Sequence, residues 1–114
     1  MKQIHKKLVN LLYKEDGVYD GSICFDFSSY EYEDDIPYVI INNTKILVLN
    51  VYLPKDETFF IITSDTETDY VIDLNDYNED ELIAMNIYGL FQDIYYETSY
   101  SYEIGDFEEE FLKN

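Results

Sequence analysis

Apolar side chains recur at Ile4, Leu8, Leu11 and Leu12, spacings of four, three and one that gather them on one face of a helix, and they predict a helix over residues 3–15. Its basic residues point the other way, and Asp16-Gly17 supplies a stop. From Tyr19 to Tyr32 the period changes to two. Ile23, Phe25 and Phe27 fall on one side and Cys24, Asp26 and Ser28 on the other, which reads as a strand. Within it Tyr30 to Asp35, Tyr-Glu-Tyr-Glu-Asp-Asp, either continues the strand or forms a short acidic helix or loop before Pro37.

Three or four β segments follow: Tyr38 to Ile41, turning at Asn42-Asn43; Lys45 to Leu53, turning at Pro54-Lys55-Asp56; Thr58 to Thr63; and Tyr70 to Leu74. Short turns between consecutive strands mean antiparallel hairpins. In the longest segment Leu47, Leu49, Val51 and Leu53 face one way and Ile46, Val48, Asn50 and Tyr52 the other; both faces are mostly apolar, which places it centrally under a covering helix. A second helix begins at Asn78, with Glu81 three positions on in the capping-box spacing, and Ile83, Ile87, Leu90, Phe91 and Ile94 make its buried stripe. The tail from Tyr95 to Asn114 alternates aromatics with acids, and residues 106–112 suit a short helix.

The expected fold is therefore α+β: an N-terminal helix, an antiparallel sheet of four to five strands, and a C-terminal helix packed on the sheet. At 114 residues the chain suits one core, so residues 1–114 are read as a single domain. Disorder is argued against by 46% hydrophobic and 18% aromatic residues, with only four Gly and two Pro.

Charge changes the picture most. The chain carries 25 acids, seven lysines and no arginine, a net charge of −18. Four lysines lie in the first 14 residues, so residues 15–114 hold 25 acids against three lysines, a balance of −22. Self-repulsion of this size lowers stability, and either solubility, a halophilic or low-GC background, or function rewards it. Nucleic acid and anionic membranes are held by Lys and Arg, so neither is expected as a direct partner. No run of 18 apolar residues and no signal-peptide pattern occurs, which gives a cytoplasmic expectation. Cys24 is the single cysteine; it has no partner for an internal disulfide or a zinc site, and strand or core packing is its expected role.

Catalytic constellations are scarce. His5, the only histidine, stands in the basic first helix and is expected to face solvent. Carboxylate pairs are so numerous that none marks a general acid and base. Asp73 to Asp80 alternates acids suggestively, but a calcium loop needs a glycine at its sixth position and none is near. No phosphate loop or dinucleotide fingerprint occurs, so a non-enzymatic protein with no metal and no cofactor is expected.

Acids suit another purpose. Carboxylates two apart on a strand stand about 6.6 Å apart on one face, and pairs three or four apart on a helix about 5–6 Å apart, rows that resemble the phosphates of a nucleic-acid strand. The 13 tyrosines either serve as interface residues or tile the sheet. Ile46-Leu47-Val48, Tyr52, Asp56-Glu57, Thr63-Ser64-Asp65, Glu67 and Val71-Ile72 occur in the order of a hairpin in one known family, with a one-residue deletion in the turn. Over roughly residues 4–74 the chain thus resembles the phage-encoded uracil-DNA glycosylase inhibitors, small acidic DNA mimics. The first helix followed by Asp20-Gly21-Ser22-Ile23 is similar to the helix and Glu-Ser-Ile edge strand that those inhibitors insert into the enzyme's DNA-binding groove. The chain departs from the family at three places: Gly21 stands where the edge-strand glutamate belongs, Tyr30 to Asp35 with Pro37 replaces a glutamate-rich second helix, and residues 75–114 have no counterpart in the short family type.

The resemblance implies that Asp20, Ser22 and Ile23 mimic the DNA backbone, that Asp65 and Glu67 extend the negative track, and that Ile46 and Val48 line an apolar pocket clasping a hydrophobic side chain of the target. Asp20, Ser22, Ile23, Asp65 and Glu67, with Glu31, Glu33, Asp34, Asp35 and Asp69, form the candidate partner-binding set. The expected partner is a basic protein, a DNA-processing enzyme such as uracil-DNA glycosylase, a CRISPR effector or a restriction enzyme, met by a monomer or weak homodimer. Immunity against a cationic nuclease toxin, a metal-binding or enzymatic domain, and a structural protein with incidental acidity are the competing classes.

Overall fold

A computed structural model of the chain describes residues 2–16 and 22–97, with side chains described for 3–13 and 23–97. Its architecture is α+β: an N-terminal helix, a five-stranded antiparallel sheet and two C-terminal helices.

Helix α1 (Lys2–Asp16) buries Ile4, Leu8 and Leu12 as the spacing predicts, together with Val9 and Tyr13. His5 departs from expectation: it is 2% exposed. Positions 5, 8, 9 and 12 form their own helical stripe, so the buried face is centred between Leu8 and Val9 and takes His5 inward, leaving Leu11 half-buried. Its ring lies 6.0 Å from Phe60 and 5.5 Å from Phe91, and Nε2 has no hydrogen-bond partner.

Strands β1 (Ser22–Asp26), β2 (Tyr38–Ile41), β3 (Thr44–Pro54), β4 (Phe59–Ser64) and β5 (Asp69–Asp73) form the sheet in the order β1-β3-β4-β5, with β2 also on β3. β3 is central, as its two apolar faces require. One edge of it is shared end to end by β2, on Thr44 to Leu47, and β1, on Asn50 to Pro54. The β2–β3 connection is the two-residue turn predicted at Asn42-Asn43, both left-handed with φ 52° and 63°, a twist that matches the flanking strands.

Strict alternation along β3 fails. Val48 faces Ser64 and Asn50 faces Thr63, so Leu49 and Asn50 together oppose one residue of β4. This β-bulge moves the buried set from Ile46 and Val48 to Val51 and Leu53. Leu47 and Leu49, expected to share the face of Val51 and Leu53, lie on the other side of the shift and are half-buried.

The expected second helix is two helices, α2 (Glu79–Ala84) and α3 (Ile87–Glu97). Asn78 and Glu81 form the capping box at the start of α2. Asn86 is left-handed (φ 62°) and breaks the run; its Nδ2 donates to the Tyr38 carbonyl at 3.0 Å. Because of that break the i,i+4 phase from Ile83 to Ile87 does not carry through: Ile83 is 58% exposed and Leu82 is buried instead. Ile87, Leu90, Phe91 and Ile94 are buried as expected. The core joins α1, α3 and one sheet face: Phe60 meets Phe91 edge to face at 5.5 Å, and Tyr13 Oη donates to the Leu53 carbonyl. Among the described residues no helix is long and apolar enough to cross a membrane. The predicted helix at residues 106–112 lies outside the described residues.

Candidate partner-binding surface

The segment between β1 and β2 leaves the sheet through Phe27, whose side chain is fully buried and whose amide donates to the Leu49 carbonyl at 2.7 Å. Tyr30 packs edge to face on Phe27, 5.7 Å between centroids, and from there the chain forms a single 3-10 turn at Glu33–Asp35. Of the readings open for Tyr30 to Asp35, the strand does not continue: Tyr30 to Tyr32 form a loop and Glu33 to Asp35 the 3-10 turn, because the acids repeat without a buried face and nothing holds them in a strand. Glu31, Glu33, Asp34 and Asp35 are all exposed, and Tyr32 is 68% exposed beside them.

The end of α3 comes to the same place. Tyr30 Oη donates to the Glu97 carboxylate. Burial, that hydrogen bond and the charges of Glu97, Asp93 and Asp35 all push the phenol above its ordinary value. Asp93 retains exposed surface, and partial desolvation pushes its carboxyl up to about 6. Carboxylates from a loop and from a helix 60 residues later are thus gathered around one tyrosine. Asp93 and Glu97 were not among the sequence candidates. Their i,i+4 spacing puts them together on the flank of the stripe formed by Leu90 and Ile94, at the margin of the buried face, and that is the signal that groups them.

Asp65 and Glu67 occupy the β4–β5 turn, and Asp69 begins β5. The buried Ser64 hydroxyl accepts from the amides of Thr66 (3.3 Å) and Thr68 (3.1 Å), and the Glu67 amide donates to the Ser64 carbonyl. This ties the turn tightly and holds Glu67 in a left-handed conformation, φ 62°. Asp69 Oδ1 accepts from Thr63 Oγ1 at 2.8 Å. β1 and β2 border one side of β3 and β4 the other, so this turn and the Glu31 to Asp35 loop are two patches on opposite sides of the central strand.

The remaining candidates divide. Asp20 lies outside the described residues, and Ser22 begins β1 opposite Pro54. Ile23 pairs with Leu53 and is buried, so its side chain belongs to the core and cannot touch a partner; the period-two pattern had already put it on the apolar side. Val48 is fully buried and Ile46 nearly so, which closes the clasping pocket that the resemblance implies. Cys24 is exposed on β1 rather than packed.

Acids at the start of the Asp73 to Asp80 run and just past its end are engaged locally. Asp73 Oδ1 accepts from the Asn75 amide (2.9 Å) and Thr58 Oγ1 (3.1 Å), and Glu81 Oε1 accepts from the Asn78 amide (2.9 Å). Among the described residues no three His, Cys, Asp or Glu side chains are grouped to hold a metal ion. Set against protein-family models, curated proteins and solved structures, the chain matches none.

Proposed function

We propose that this chain is an acidic, non-enzymatic protein that occupies the cationic DNA-binding cleft of a DNA-processing enzyme in place of DNA. The observation that carries the reading is the convergence of Asp35, Asp93 and Glu97 around Tyr30, in the loop that also exposes Glu31, Glu33 and Asp34. The exposed Tyr32 ring beside the half-buried Tyr30 supplies contact area, and the carboxylates supply the field. A cationic cleft attracts such a surface over a Debye length of about 8 Å in physiological salt and gains about 10- to 1,000-fold in association rate from steering.

Uracil-DNA glycosylase, the target implied by the resemblance, is the first enzyme to test, followed by a CRISPR effector and a restriction enzyme. The experiment is inhibition of each enzyme on a labelled duplex across a salt series. The expected result is inhibition of one of them that weakens as salt rises, and that falls about tenfold when Glu31, Glu33, Asp34 and Asp35 are changed together to their amides. Absence of inhibition of all three at low salt overturns the reading.

A further inference from the structure

Among the described residues the helices cover one face of the sheet only, and the other face carries an apolar row. Strand pairing places Cys24 opposite Tyr52, Tyr52 opposite Ile61, and Ile61 opposite Val71, so these four side chains cross four strands in a line. Three strand spacings make that line about 14 Å long. Cys24 is exposed, Tyr52 is 47% exposed and Val71 65% exposed. A solvated antiparallel face ordinarily alternates to polar residues, and contiguous exposed apolar side chains mark contact surfaces.

Acids border the row on both sides. Asp26, Asn50, Thr63 and Asp69 are mutually paired along one side, and Phe59 with Asp73 lies along the other. Neutral donors hold three of these carboxylates: the Ser28 amide reaches Asp26 at 2.8 Å, Thr63 Oγ1 reaches Asp69 at 2.8 Å, and Thr58 Oγ1 reaches Asp73 at 3.1 Å. Such bonds fix the oxygens without cancelling their charge. The face is therefore a preorganised apolar strip between two negative borders. Its complement is an apolar protrusion flanked by Lys or Arg. A second copy of this chain is the wrong complement, because stacking two such faces opposes the same aspartates on bodies of charge −18.

We infer that the uncovered sheet face, centred on Tyr52, Ile61 and Val71, is the docking surface for a cationic protein segment with an apolar centre. This rests on the proposed polyanion-like function and names the contact face within it.

Two synthetic peptides of equal charge test it: one all-lysine in its cationic positions with serine spacers, the other with a leucine-phenylalanine centre between lysines. Binding is followed by titration calorimetry and by methyl and backbone-amide chemical shifts at 0.15 M NaCl. The apolar-centred peptide is expected to bind at least tenfold more tightly and to shift Ile61 and Val71. Tyr52→Thr with Val71→Thr, which keeps strand propensity and removes apolar surface, is expected to erase the difference while leaving Tm and the all-lysine affinity unchanged. Equal affinity of the two peptides, with shifts at Tyr32 and the neighbouring acidic loop only, overturns the docking face and leaves the polyanion-like function standing. Binding of neither peptide overturns both. A concentration-dependent dimer in sedimentation that Val71→Lys dissociates overturns the cationic occupant in favour of a second copy.

Discussion

Glu67 occupies a left-handed backbone conformation, φ 62°, which costs an L-residue about 1–2 kcal/mol and which glycine adopts freely. Glu67→Gly is expected to raise unfolding stability by about 1 kcal/mol in denaturant titration. If the turn contributes to partner contact, the same variant binds a cationic protein more weakly, an activity gained at the expense of stability. His5 is the opposite kind of residue, a polar ring placed in the core with an unpartnered Nε2. Desolvation lowers its pKa from 6.5 to about 4. The folded protein thus binds fewer protons than the unfolded chain between those values, so the stability it holds above pH 6.5 is lost as pH falls through 6.5 toward 4. The wild type is expected to lose about 3 kcal/mol over that window relative to His5→Phe. Chemical denaturation of both proteins at pH 7.5 and 4.5 measures the difference, and parallel curves would show that His5 is not titrating in the core.

At the scale of elements, the junction of α2 and α3 decides how the C-terminal helices meet the sheet. Gly89 stands in the first turn of α3, where a helical Gly→Ala change ordinarily stabilises by about 1 kcal/mol. Here an added Cβ would lie 2.5 Å from Asn86 Oδ1 and 2.8 Å from its Nδ2. That amide is anchored to the Tyr38 carbonyl, so it moves only by breaking its hydrogen bond to β2. Gly89→Ala is expected to lower stability by about 1–2 kcal/mol rather than raise it, and Asn86→Gly in the same chain to remove most of the additional loss. Thermal unfolding of the two single variants and the double variant forms the cycle that checks it. The bulge at Leu49-Asn50 acts on the same scale: it lets one long strand serve a helix-covered core at both ends while presenting Tyr52 outward.

Over the whole molecule, repulsion among the acids opposes folding at any pH where they are ionised, and the described hydrogen bonds to Asp26, Asp69, Asp73 and Glu81 come from neutral groups. Screening relieves that repulsion. Raising NaCl from about 0.02 to about 0.5 M, which shortens the Debye length about five-fold, is expected to raise Tm by several degrees while weakening association with any cationic partner. A Tm that is flat or falls with salt would mean that attractive ion pairs outweigh the repulsion.

Local patterns determined the element types, the Asn42-Asn43 turn, the capping box at Asn78 and most of the core, because each depends on side chains within one turn or one strand repeat of one another. The same reading of local period also put Ile23 on the apolar side, although the resemblance implied that it meets a partner. Only tertiary structure decided the rest. His5 went inward because α1 is rotated to fit Phe60 and Phe91; the β3 pattern changed face because β4 pairs one residue against two; Asp93 and Glu97 reached Tyr30 because α3 ends beside a loop distant in sequence. Which sheet face stays open is likewise a matter of where helices pack. Burial and field are sums over neighbours in space, and a sequence states only neighbours along the chain.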